Sequence, residues 1–139
     1  MGHPMALEEI REAFSFFDGW EDKYRFVIDL GKDLPQLDDA RRTPANLVRG
    51  CQSQVWLLTE RLGGRMRFAI DSDAQIVRGL IAIILTVFQD RTPDEIRAFD
   101  IEGLFAELEL IKHLTPTRGN GLRAMVARIH QEAERASLD

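Results

Sequence analysis

The stretch from Ser72 to Phe88 constrains the fold of this chain more than any other. Ile76, Val77, Leu80, Ile81, Ile83, Ile84, Leu85, Val87 and Phe88 crowd into one segment. A helix over these residues is apolar on most sides and belongs at the centre of a core. In front of it, Ser72-Asp73-Ala74-Gln75 has the spacing of a capping box, with Ser72 as N-cap and Gln75 reaching back. Gly79, inside the segment, costs about 1 kcal/mol against alanine in a helix. A tight helix–sheet contact is the expected reason. The apolar run Leu80 to Phe88, interrupted by Thr86, is far too short to span a membrane.

The sequence also supplies elements to cover such a helix. Met66, Phe68 and Ile70 alternate with Arg65, Arg67 and Ala69, the period of a strand with one buried face. Gly63-Gly64 separates this run from Val55 to Leu62, so a β-hairpin is predicted. A short strand around Leu47-Val48 would make the sheet three-stranded. Residues 5–17 read as an amphipathic helix through Leu7, Ile10, Phe14 and Phe17. Asp18-Gly19 breaks it. A second helix runs from Trp20 to Leu30, with Trp20, Tyr24, Val27 and Ile28 inward and Gly31 placed as a C-terminal cap. Lys32 to Asn46, with Pro35 and Pro44, reads as an ordered surface loop. Thr92-Pro93-Asp94-Glu95 and Thr115-Pro116 are helix starts. They open a short helix to Phe99 and a long last one through Leu122, Met125, Val126 and Ile129, with another short helix over Ile101 to Leu110 between them. The expectation is one α+β domain over residues 1–139, with a small three-stranded antiparallel sheet packed against about six helices.

Composition limits the function. The formal net charge is −5, from 23 acidic and 18 basic residues, which argues against a general nucleic-acid binder. Cys51 is the single cysteine among 139 residues. No internal disulfide is available, nor any metal or cluster site that needs two thiolates from one chain. A free thiol suits a cytoplasmic setting, and the first residues show no signal-peptide pattern.

Cys51 sits at a bend rather than inside an apolar periodic segment. Gly50 precedes it and the polar run Gln52-Ser53-Gln54 follows. Arg49 is a cation that could favour thiolate, and Val48, Val55 and Trp56 are near enough in sequence to shield a sulfur species. An inert buried cysteine and a reactive one both remain open on these residues alone. A Cys-dependent hydrolase or transferase would need a histidine to activate the thiol. Of His3, His113 and His130, only His113 is placed to serve. Asp71-Ser72-Asp73 is explained by helix capping unless a partner uses it too. Arg118, in a loop or first helical turn, is a candidate partner or anion contact, with a free surface arginine as the alternative.

Three segments together resemble a known family. They are Gly50-Cys-Gln-Ser-Gln-Val-Trp56, Asp71-Ser-Asp-Ala-Gln-Ile-Val-Arg-Gly-Leu80 and Leu114-Thr-Pro-Thr-Arg-Gly-Asn-Gly-Leu122. With Trp20-Glu-Asp-Lys-Tyr24 and Leu30-Gly-Lys-Asp-Leu-Pro35, they resemble the SufE family of sulfur-acceptor proteins. The resemblance covers nearly the whole chain in the same order. It implies a SufE/NifU-like fold and an accessory, non-enzymatic role beside a pyridoxal-phosphate-dependent (PLP-dependent) cysteine desulfurase of the SufS type. Cys51 would accept persulfide sulfur and pass it to an iron–sulfur scaffold complex of the SufBCD type. Arg49, Gly50, Gln52, Ser53, Asp73 and Arg118 would contact the partner. The chain itself would bind no cofactor and no metal, and homodimerisation stays open. The paralogous CsdE family shares most of the motifs, and the Gln-Ser-Gln run is closer to SufE.

Overall fold

The hairpin and the apolar helix form where the sequence places them. The structure is a computed structural model that describes residues 6–138. Strands β1 (Val55–Leu62) and β2 (Arg65–Ser72) pair antiparallel, from Val55 opposite Ser72 to Leu62 opposite Arg65. The intervening Gly63 and Gly64 have φ of +59° and +82°. A two-residue turn of type I′ needs such a left-handed pair, and glycine adopts it without strain. Leu57, Met66, Phe68 and Ile70 are buried, while Arg65 and Arg67 face water.

The sheet has two strands among the described residues, not the three expected. The third shrinks to one bridge, Leu47 opposite Trp56, closed by the Val48 N–H donating to the Val55 carbonyl at 2.8 Å. A short 3-10 turn at Pro44–Asn46 precedes it and Gly50, at φ +92°, follows. Both bend the chain away before a second bridge can form. On the other edge, the Gln89 side chain accepts from the Phe68 N–H at 2.7 Å and donates to its carbonyl at 2.8 Å. Met66 exchanges backbone bonds with Arg91 and Asp90. The segment after the central helix thus satisfies an edge that would otherwise be open.

That helix, α3 (Gln75–Phe88), is the core: Ile81, Ile84 and Phe88 have no exposed surface. Its start departs from the predicted capping box. β2 runs on through Ser72, and Ala74 takes the cap position. Because Ser72 is paired with Val55 in extended backbone, its hydroxyl instead accepts from the Ala74 N–H at 3.2 Å, and Gln75 stays exposed.

Helices α1 (Leu7–Phe16) and α2 (Trp20–Lys32) cover α3. Gly79 meets α2 rather than the sheet. A methyl there would overlap the Val27 carbonyl, and one on Gly31 would lie 2.6 Å from the Gly79 nitrogen. Two glycines facing each other let the helix backbones touch. Gly31 is therefore an interior contact of α2, which continues to Lys32, and not its cap.

The chain closes with α4 (Pro93–Ala98), α5 (Ile101–Glu107), α6 (Leu110–His113) and α7 (Pro116–Leu138), giving seven α-helices among the described residues. Both predicted starts hold. Thr92 and Glu95 cap each other reciprocally, at 3.0 and 3.2 Å, and Thr115 Oγ1 accepts from the Arg118 N–H at 3.3 Å. Met125, Ile129 and Ala133 of α7 join the core. Among the described residues no helix is long and apolar enough to cross a membrane.

Candidate functional site

Residues 49–54 form an irregular loop between the Leu47 bridge and β1. Gly50 turns the chain, and the half-buried Cys51 side chain drops toward α7. Its thiol donates to the Gly121 carbonyl, with Sγ 3.5 Å from the oxygen. Beside it lies a cavity of about 40 Å³. Cys51, Gln52 and Ser53 form one wall, and Val55, Val77 and Leu80 face them from β1 and α3. Thr117, Arg118, Gly121, Leu122 and Met125 close it from α7.

Strand alternation decides which neighbours shield the sulfur. Val55 points into the cavity, so Trp56, next in β1, points the other way. Trp56 lies beneath the Arg42 guanidinium, 5.1 Å from the ring centroid. Neither Trp56 nor Val48 lines the cavity, contrary to expectation. Of the three expected neighbours Val55 alone lines the cavity, and the rest of the apolar lining comes from α3 and α7, remote in sequence from Cys51.

Burial pushes the Cys51 thiol above its ordinary pKa, because a thiolate is poorly solvated beside apolar groups. The help expected from Arg49 is not seen: burial is the one cause of the shift, and the Arg49 side chain is exposed. At rest the sulfur is a protonated donor, which matches its bond to Gly121.

The loop is clasped at both ends. Downstream, the Asp73 carboxylate accepts from the Gln54 N–H at 3.1 Å, and the Gln54 carbonyl accepts from the Asp73 N–H at 3.4 Å. Upstream, the Arg128 guanidinium donates to the Leu47 carbonyl at 3.5 Å. Exposed Asp73 therefore already has a task in the free chain, holding the end of the Cys51 loop.

Next to Asp73 is a feature that sequence reasoning missed. The Asp71 carboxylate is fully buried. It accepts from Arg42 at 2.9 Å, from the Leu37 N–H at 3.0 Å, from the Ser72 N–H at 2.8 Å and from Arg78. Arg78 also donates to the Leu34 carbonyl. The segment from Asp33 to Asn46 is thus an ordered loop, as expected, and it is folded over the sheet end and pinned to Asp71. Leu34 and Leu37, both buried, were the available signal.

Of the other candidates, Arg49 and Gln52 are exposed, while Ser53 and Arg118 are half-buried at the cavity. Neither Arg49 nor Arg118 has an ion-pair partner among the described residues. The histidines are not at the sulfur. His113 stacks on Trp20, with ring centroids 4.6 Å apart, and His130 packs edge-on against Phe88. Neither lines the cavity, and His3 lies outside the described residues. No group of three or more His, Cys, Asp or Glu able to hold a metal occurs among the described residues. The site therefore offers one sulfur atom, a small partly apolar space beside it and a loop held at both ends. Among the described residues no histidine lines the cavity beside the thiol.

Residues 8–133 match the model of the SufE family, an Fe-S metabolism associated domain. The chain belongs to the SufE family. An uncharacterized SufE-like protein of Rhizobium meliloti is 47% identical over 133 residues, spanning 93% of this chain and 95% of the relative. A second, from Rhizobium etli, is 48% identical and spans 93% and 90%. A hypothetical protein of Thermus thermophilus, solved in solution, superposes with a TM-score of 0.67 at 18% identity, covering 97% of this chain and all of that one. The last likeness shows the shared α+β fold. Iron–sulfur metabolism is the setting that the SufE family gives this chain.

Proposed function

We propose that this SufE-family protein is a sulfur acceptor and activator of a PLP-dependent cysteine desulfurase, and that Cys51 relays the sulfur to an iron–sulfur scaffold complex. The observation that carries this reading is the placement of the lone Cys51 sulfur beside a small, partly apolar cavity, on a loop clasped at its two ends. One thiol is enough for sulfur transfer. A second nearby would attack the loaded persulfide and expel sulfide as a disulfide formed.

Docking would free Gln54 from Asp73 and swing the loop about Gly50, bringing Cys51 into water, where its thiolate is better solvated. The thiolate attacks the outer sulfur of the desulfurase persulfide. A new S–S bond forms on Cys51 as the desulfurase S–S bond breaks. The bonding electrons leave on the desulfurase sulfur, which takes up the proton that Cys51 gave to solvent. No external oxidant is required. Arg49, Gly50, Gln52, Ser53, Asp73 and Arg118 are the proposed contact surface, with Arg49 and Arg118 offering cations not committed to ion pairs within the described chain. The loop then returns and covers the outer sulfur against solvent thiols and oxidants. A reducing cytoplasm suits such a carrier.

The test combines the protein with a cysteine desulfurase and L-cysteine. Mass spectrometry should find one added sulfur atom on Cys51, and desulfurase turnover should rise. Cys51→Ser should show neither. Sulfur uptake or full stimulation by Cys51→Ser sinks the proposal.

A further inference from the structure

We infer that Gly121 reserves the space for a second sulfur atom on Cys51. This rests on the persulfide reading and assigns one residue to it.

Glycine inside a helix is unfavourable against alanine, so a buried one calls for a reason. At Gly79 and Gly31 the reason is steric, since added methyl groups would collide with backbone of the facing helix. Gly121, buried in α7, is different. A Cβ there would stand 3.6 Å from Cys51 Sγ, 3.7 Å from its Cα and 3.8 Å from its Cβ. Those are ordinary contact distances. Alanine therefore fits against the reduced thiol, and packing of the reduced protein does not demand glycine.

The loaded state does demand it. An S–S bond is about 2.05 Å long, so the outer sulfur lies in the shell of space directly around Sγ. A methyl already touching Sγ fills the side of that shell facing α7. The cavity holds about 40 Å³, and one water-sized sphere takes roughly 10–15 Å³ of such space. One methyl group would remove much of the room available to a sulfur atom. Gly121 also supplies the carbonyl that the thiol faces, so the same residue orients Sγ and leaves the space beside it open.

The test loads Cys51 without any desulfurase, using inorganic tetrasulfide. The Cys51 thiolate attacks a terminal sulfur, the S–S bond to Cys51 forms, and trisulfide leaves with the electrons of the broken bond. After desalting, dithiothreitol is added and loss of the extra sulfur is followed by intact-protein mass. Gly119→Ala is the control. Gly119 is buried in the same helix, does not line the cavity, and its added methyl would meet Ile111 at 3.7 Å. Wild type and Gly119→Ala should retain the sulfur alike. Gly121→Ala should lose it at least about fivefold faster, because exchange depends on access to the sulfur attacked, and should melt no lower than wild type. Equal lifetimes in all three proteins overturn the inference. So does a Gly121→Ala protein that melts well below wild type, since glycine would then be serving the packing of the reduced state. Failure of wild type to hold tetrasulfide-derived sulfur overturns both this inference and the proposed function. Failure to accept sulfur from a desulfurase, with the tetrasulfide result intact, removes only the latter.

Discussion

The Asp71 node and the Cys51 cavity sit on either side of one strand end. Trp56 pairs with Asp71 and lies beneath Arg42, while its neighbour Val55 faces the sulfur. They are held in opposite ways. Asp71 has no exposed surface and accepts from four donors on three segments of chain. Cys51 is half-buried and makes one weak S–H bond, at 3.5 Å. The Cys51 loop is tied by a pair of hydrogen bonds between Gln54 and Asp73 and by one at Leu47. A carboxylate so committed cannot move without leaving two partly covered cations unpaired. A thiol so lightly held can leave its cavity at the cost of a few weak contacts. The firmly held carboxylate and the lightly held thiol thus meet at one strand end, through the adjacent residues Trp56 and Val55.

The largest expected effect breaks the Asp71 node. Asp71→Ala strands Arg78 and the partly covered Arg42, and should cost about 3–5 kcal/mol of stability in urea unfolding, the range for removing one partner of a buried ion pair. A cost below about 1 kcal/mol would erase the contrast. Next is the clasp. Asp73→Ala should speed iodoacetamide alkylation of Cys51 several-fold while changing the melting temperature far less than Asp71→Ala does. Hydrogen exchange of residues 49–54 should rise with it. Wild-type protection there equal to that of α3, free and partner-bound alike, would show that the loop does not open.

The smallest effect is on pH. Burial favours the neutral thiol, so the folded Cys51 pKa lies above that of the unfolded chain. The thiolate fraction at neutral pH is then lower than for an ordinary cysteine near 8.5. The alkylation rate should rise with pH along a curve displaced to higher pH. The associated stability is fully present below the unfolded thiol pKa and declines as pH rises through it toward the folded value. Cys51→Ser should abolish that decline, which denaturant titrations at several pH values would measure.

The periodic elements were legible before any coordinates. Met66-x-Phe68-x-Ile70, Gly63-Gly64 and the run from Ile76 to Phe88 announce a hairpin and a core helix, because local propensity and burial point the same way there. The threonine caps at Thr92 and Thr115 were legible for the same reason. The boundaries that failed are those where a distant contact overrode a local signal. Ser72 looks like an N-cap, but pairing with Val55 keeps it in the strand. Gly31 looks like a C-cap, but contact with Gly79 draws it into the helix. Leu47-Val48 looks like a strand, but turns on both sides leave one bridge.

For the site, the sequence by itself determined that there is one thiol, that it sits at a bend after Gly50, and, through its motifs, that the chain resembles the SufE family. Only the tertiary structure decided what surrounds the sulfur. The cavity brings together Val55, Val77, Leu80, Leu122 and Met125, and Gly121 stands against Sγ from 70 positions away in the chain. Sequence periodicity reports which face of an element is apolar, because that depends on neighbours within a turn or two. It does not report which apolar faces meet, since that is settled by packing the whole core at once.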